Sequence, residues 1–581
     1  MNQTAIHMSH VDRRTFLMPH RRPETPLARL RSDLIEAAPE NLARFDALRA
    51  ARAAAPPLTG LNPYNGPWTR AEVIHLLRRT MFGTTKADVD HFLSGTLAQA
   101  VDELLDGAYV APPLPVNDYN SADFTDQNVP FGETWIDADQ DPIGEGYRVE
   151  SLRAWWLRQM LKNDRNIREK ITLFWYNHVP ILFYDVFSGG HLYRYLDTLR
   201  TNALGNFKTM MKEITLNPAM LYFLNGYLNS DDAPDENYAR EIQELFVIGK
   251  DLPQHYTEDD VKAAARLLTG WRIGPLFTHY YNPNQHDTDT KQFSSFYDNK
   301  VIQGQSGTNG GEAELDEFLD MLFGHPEAAR YLCREIYRFF VYHAIDDTTE
   351  QNVIEPLAQI FRDNNYDIQP VLDTLFKSEH FFDMLNRGAV IKSPVDMTTG
   401  FFNQLGVQLP GDANLSDTFF MTYVLNYFMF EQLQLPGDPP NVAGWQAYYQ
   451  QPALDKIWIN SSTLPKRGQF TEFMLFAGIN TGNSLAIADV LGFAASLNNP
   501  SDPVALIDEA HELLLGLPAS SVVKALHKSI LLTNLPSDYY WTLGWNAYIS
   551  NPNDPIIKGE VENRLKFLLH VITQMEEHQL I

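Results

Sequence analysis

Glu241 and Glu244 lie one helical turn apart in the string Glu236-Asn237-Tyr238-Ala239-Arg240-Glu241-Ile242-Gln243-Glu244-Leu245-Phe246. Residues 237, 241 and 244 fall along one flank of such a helix, with Tyr238, Ile242, Leu245 and Phe246 nearer its packing face. Two carboxylates at that spacing suit a hard or borderline divalent metal, and the imidazoles of His178 and His286 with the carboxylate of Asp287 can complete its shell. A metal held there would acidify water or support oxidation. One of Glu241 and Glu244 would be a ligand and the other a base, and His178 would ligate or move a proton.

Each residue also has a packing role open to it. His178 stands on an apolar helix face, where a histidine commonly satisfies a core hydrogen bond. Glu236 and Arg240 have the spacing of a helical ion pair, and Glu241 can pair with another base. Arg79, Arg240 and Arg266 offer planar forks that suit either an anionic substrate or internal carboxylates. Trp271 and Trp445, with the aromatics from Tyr280 to Tyr297, suit a sugar- or peptide-binding surface or ordinary packing. Lys392 before Ser393-Pro394 defines no lysine or serine enzyme by itself, and no P-loop or His-Glu-x-x-His spacing occurs.

Helical signals dominate the elements that must position these groups. Thr69 with Glu72, and Thr84/Thr85 with Asp88, read as helix starts, and Gly83 as a stop between them. Ile167, Ile171, Phe174, Trp175, His178 and Leu182 share one face before Pro180 interferes. A long helix is expected over 192–211, one over 236–248 ended by Gly249, and one begun by Thr257 and Asp260. Further helices are expected over 315–342, 353–361, 368–378, 395–405, 502–516, 519–532, 537–547 and 559–577. The Gly/Asn/Asp-rich stretch 272–311 reads as short β hairpins, and Ala111 to Tyr147 as a long ordered loop, either covering a cleft or lying passively on the surface. The expectation is a mainly α, large multi-helix globular domain with short β hairpins and long ordered loops. Residues 1–60 form an N-terminal arm with one helix near 39–54, 61–478 the helical core, and 479–581 a C-terminal helical region packed on it.

Bulk properties narrow the partners. The net charge of −27, from 73 acidic against 46 basic residues, opposes phosphate backbones, so no nucleic acid is expected. The single cysteine, Cys333, excludes intrachain disulfides and cysteine-rich metal sites and reads as a buried thiol. The apolar run Phe419 to Phe430 is too short to cross a bilayer. Arg13-Arg14-Thr15-Phe16-Leu17 looks like a twin-arginine export signal, but Met18-Pro19-His20-Arg21-Arg22-Pro23 follows where an apolar segment is needed, so a cytoplasmic location is favoured.

Eight strings appear in order between about residues 70 and 470: His75 to Gly83, Arg168 to His178, Asp235 to Phe246, Tyr256 to Val261, Thr269-Gly270-Trp271, His286-Asp287, Pro440-Asn441-Val442-Ala443-Gly444-Trp445 and Trp458 to Ser462. Together they resemble the bacterial family of uncharacterised proteins known as DUF1800. The resemblance implies no particular activity. It does imply a periplasmic location as the alternative, since members of that family often look exported. Two functional expectations follow: a metal-assisted hydrolase or oxidoreductase acting on an unidentified small molecule, or a noncatalytic scaffold that binds protein or glycan through its aromatic loops.

Overall fold

The helix Arg70–Thr80 opens the ordered core with the capping box expected from its sequence: the Thr69 amide donates to Glu72 Oε2 at 3.0 Å, and the Thr69 hydroxyl faces the third amide of the helix. The computed structural model describes residues 59–106, 109–250, 255–445 and 457–581. The expected arm, its 39–54 helix and the twin-arginine string therefore lie outside the described residues. Within them the protein is mainly α, with three two-stranded antiparallel sheets. No described helix is long and apolar enough to cross a membrane.

The same reciprocal capping starts the helices Lys86–Leu93 at Thr85/Asp88 and Glu258–Leu267 at Thr257/Asp260. Asp completes the box as well as Glu does in both. The expected hairpins form, with Trp271–Ile273 paired to His279–Tyr281 and Lys291–Gln292 to Val301–Ile302.

Three expected helices take a different form. The 192–211 pattern is two helices, Gly189–Thr201 and Phe207–Leu216, because Asn206 turns its side chain back to accept the Thr209 amide and starts a new helix. The 315–342 pattern also divides, into Gly310–Gly324 and Pro326–Phe340, where Pro326 has no amide with which to continue the earlier helix. In the 236–248 pattern the α-helix Asn237–Glu241 widens into a π turn, Ile242–Val247, which periodicity does not reveal. A hairpin, Ile479–Asn480 with Leu485–Ala486, and a helix, Val490–Ser496, add to the expected C-terminal elements.

The helix Arg168–His178 lies at the centre of the packing. Every residue from Lys170 to His178 is buried, so this helix is enclosed on all sides rather than amphipathic. Each fully buried Leu, Ile or Phe in such a setting contributes about 1.5–3 kcal/mol. The helices Pro503–Leu515 and Pro555–Thr573 close the C-terminal side. Arg78 reaches across to donate to Leu514 O at 3.1 Å and also to Leu580 O, and Val390 pairs through its backbone with Ile581.

The long excursion before the helix Gly144–Lys162 is irregular but held at its base. Asp126 and Arg148 form a buried ion pair at 3.0 Å, and Trp135 Nε1 donates to Val116 O at 3.2 Å. Its residues border two clefts, which favours the covering role over the passive one. Val110 to Pro113 line a cleft of about 310 Å³, and Pro113, Leu114, Val116 and Gly132 line an adjoining groove of about 890 Å³.

Candidate functional site

Pro180 ends the central helix at His178, and the π turn ends nearby with its last carbonyls lacking helical amide partners. Side chains from other elements supply the missing donors. His178 Nε2 donates to Phe246 O at 2.8 Å, and the Tyr331 hydroxyl donates to Leu245 O at 2.7 Å. Gly249 follows the turn at φ +86°, and a Cβ there would stand 2.7 Å from the Tyr331 ring.

The segment from Asn441 to Trp445 meets the same helix end. The Trp445 amide donates to Asn177 Oδ1 at 2.7 Å. Gly444 lies at φ +78°, and a Cβ on it would stand 2.2 Å from Asn177 O, so both conformation and space demand glycine. Three segments far apart in sequence thus converge: 177–178, 245–246 and 441–445.

Where they meet, Asn177, His178, Leu245, Tyr331, Glu335 and Ala443 line a pocket of about 20 Å³, with Phe174 and Phe339 as its aromatic walls. That volume holds one water. A carbonyl can only accept, so Nε2 carries the imidazole proton and the lone pair is on Nδ1. Burial pulls His178 down to about 4, and the opposing hydrogen bond to Phe246 does not offset it. The ring is therefore neutral across the physiological range, the form that accepts a proton or ligates a metal.

The other expected ligands belong to different networks. His286 is fully buried, with Nδ1 2.9 Å from Thr269 O and Nε2 2.9 Å from Glu314 Oε1. Lys291 Nζ lies 2.8 Å from the second Glu314 oxygen. Asp287 takes the Arg266 fork at 2.6 and 3.0 Å; burial pushes its carboxyl up, but the guanidinium outweighs this and holds it below the ordinary aspartate range. Glu241, the last residue of the α-helix, and Glu244, in the π turn that follows, are both half-buried, with Lys250 3.8 Å from Glu244. Burial first, and the negative charge of Glu244 second, push Glu241 up to about 7.

His178, Glu241, Glu244, His286 and Asp287 thus form no single metal shell. Among the described residues no three His, Cys, Asp or Glu side chains group so as to hold a metal ion. The three arginines are likewise dispersed. Arg79 donates to Asn386 O at 2.7 Å, Arg240 pairs with Glu236 at 3.0 Å and Glu258 at 2.7 Å, and Arg266 is held by Asp287. Trp271 and Trp445 are buried, so neither presents a face to a sugar or peptide. Their burial follows from the packing of Trp271 on Tyr281, with centroids 5.1 Å apart, and from the docking of the 441–445 segment.

Sequence reasoning did not single out Asn177, Tyr331 or Glu335. Asn177 stood beside His178 in a quoted string, whereas Tyr331 and Glu335 read only as helix residues.

Neither a curated protein nor a solved structure matches the chain. A family model does, over residues 75–553, which include all three segments around the His178 pocket. That match extends over most of the chain, which therefore belongs to the family described as protein of unknown function (DUF1800).

Proposed function

We propose that the protein is a hydrolase whose water is activated at the His178 pocket. The observation that carries this reading is the hydrogen bond from Nε2 to Phe246 O, which leaves the basic lone pair on a ring lining a water-sized niche. Water in that niche would give its proton to Nδ1 while its oxygen attacks an electrophilic carbon or phosphorus. The imidazolium would then return the proton to the departing group. Glu335 lines the same pocket with its carboxylate paired to Arg338. This keeps the hydrolytic reading and moves the base from Glu241 or Glu244 to His178.

A metal-assisted form of the reaction would use the same Nδ1 lone pair as a ligand, since a neutral imidazole is the ligating form. A second base is supported by one specific observation, the rise of Glu241 to about 7 beside Glu244.

The test is a panel of chromogenic esters, phosphoesters and glycosides, assayed with and without added Zn²⁺, Mn²⁺ or Mg²⁺, on the wild-type protein and on His178→Asn. The expected result is turnover of one substrate class, at least about a hundredfold lower in a His178→Asn variant that melts as a folded protein. Equal turnover in the two proteins, or none on any substrate, would overturn the proposal.

A further inference from the structure

Asn177 precedes His178 in the last turn of the central helix, and the segment docked on that helix end orients its side chain. A backbone amide only donates, so the side-chain atom that receives the Trp445 amide at 2.7 Å is the oxygen, Oδ1. The same oxygen is the side-chain atom that a Cβ on Gly444 would crowd, at 2.7 Å. Nδ2 takes the other branch of the amide. No described residue accepts its hydrogens, and it is not one of the fully covered polar atoms that lack a partner, so it retains exposed surface. Asn177 and His178 line the same niche. A base and an amide donor, each oriented by a hydrogen bond to the backbone of another segment, therefore stand ready at one space before any substrate arrives.

The rest of the lining decides what they can act on. Phe174, Leu245, Tyr331, Phe339 and Ala443 give the niche apolar and aromatic walls, and no described lysine or arginine lines it. Glu335 is paired with Arg338, which lies outside the lining. A phosphoryl group brings negative charge, for which this lining offers no cation. Glycoside cleavage develops positive charge on the sugar ring, for which an N–H donor is the wrong partner. A carboxylic ester is neutral and develops a single negative charge, on its carbonyl oxygen, which an amide donor stabilises.

We infer that the substrate is a neutral carboxylic ester and that Asn177 Nδ2 donates to the oxyanion formed from it. This rests on the hydrolytic reading of the His178 pocket. Water attacks the carbonyl carbon and gives its proton to His178 Nδ1, while the carbonyl π pair moves onto the oxygen that faces Nδ2. As the tetrahedral intermediate collapses, the C–O bond to the alkoxy group breaks and the departing oxygen takes the proton from Nδ1. An acid and an alcohol leave, and the imidazole is neutral again.

The test is steady-state kinetics of the full chain at pH 8, well above the His178 value of about 4, on 4-nitrophenyl butyrate, phosphate and β-glucoside. Asn177→Asp keeps the oxygen that receives the Trp445 amide and loses the donor, whereas Asn177→Ala loses both. The expected result is turnover of the butyrate above the other two. In Asn177→Asp, kcat should fall about a hundredfold with KM changed by less than about threefold, because the donor acts on charge that exists only after attack. Asn177→Ala should lose as much kcat and also melt lower; it carries the test if Asn177→Asp does not fold. Unchanged kcat in both variants, with His178→Asn inactive, would overturn the inference and leave His178 as the base. Preferred turnover of the phosphate or the glucoside, lost in His178→Asn, would overturn the ester assignment and again spare the base. Equal turnover in His178→Asn and wild type, or none on any substrate, would overturn both.

Discussion

His178 Nε2 lies 2.8 Å from Phe246 O, so one buried imidazole both ends the π turn and sets its own tautomer. The structural and chemical roles of this residue are thus the same hydrogen bond seen from its two ends. His178→Leu removes the donor and strands a buried carbonyl, and the expected loss is about 1–3 kcal/mol of unfolding free energy, measured by urea denaturation. His178→Asn retains a donor amide and should lose less. Equal losses in the two variants would mean that the hydrogen bond adds nothing to stability.

Gly444 tests the junction of the three segments. Gly444→Ala places a methyl group 2.2 Å from Asn177 O at a φ of +78°, so the 441–445 segment must move off the helix end. The expected cost is about 1–3 kcal/mol, together with loss of any activity that depends on His178. Thermal melting and the substrate panel read the two effects separately. A variant with wild-type values in both would show that this junction is pliable.

Acid sensitivity should arise in the C-terminal region as well as at His178. His511 Nε2 and His527 Nδ1 are 2.6 Å apart and buried, and burial pulls the two rings down to about 4 and about 3. Both folded values lie below the ordinary histidine value, so the unfolded chain binds more protons within that window. Stability therefore falls as pH drops from about 6.5 towards 4, by up to about 3 kcal/mol for His511 alone. Urea midpoints between pH 7 and 4 should decline less steeply in His511→Gln than in wild type. Parallel curves would remove this pair from the account.

Lys392 is buried near Arg78, Lys170 and Arg467, with the charge of Asp396 opposing theirs. Burial first, and then Arg78, pull it well below the ordinary lysine value. Lys392→Met removes a group whose charged form burial disfavours, and the variant should be more stable at neutral pH by about 1 kcal/mol or more. The gain should shrink as pH rises towards the ordinary lysine value, where the unfolded chain sheds that proton. Lower stability at pH 7 would mean that the ammonium has a stabilising partner.

Much of the fold was legible because its signals are local. Thr69, Thr85 and Thr257 each announce a helix by chemistry confined to four residues, and Gly249 announces its end in the same way. The π turn was hidden because Tyr238, Ile242, Leu245 and Phe246 fit α periodicity, and one extra residue in a turn leaves that pattern readable. The charge of Glu244 acts on Glu241, and His178 donates to Phe246 O in the π turn. His286 and Asp287 stand in other networks, and no local rule reveals that Glu314, 28 residues later, takes the imidazole. The cleft of about 310 Å³ left no trace in the sequence for the same reason: its walls are brought together only by the packing of helices against Val110 to Pro113.

The central claim is that His178, and not Glu241, is the base. The most direct measurement is the pH dependence of kcat/KM on whichever panel substrate is turned over. The account predicts a profile flat through neutral pH and falling along a single limb near 4, with activity lost in His178→Asn and kept in Glu241→Gln. A profile that turns over near 7 and collapses in Glu241→Gln would contradict it and assign the base to the carboxylate pair.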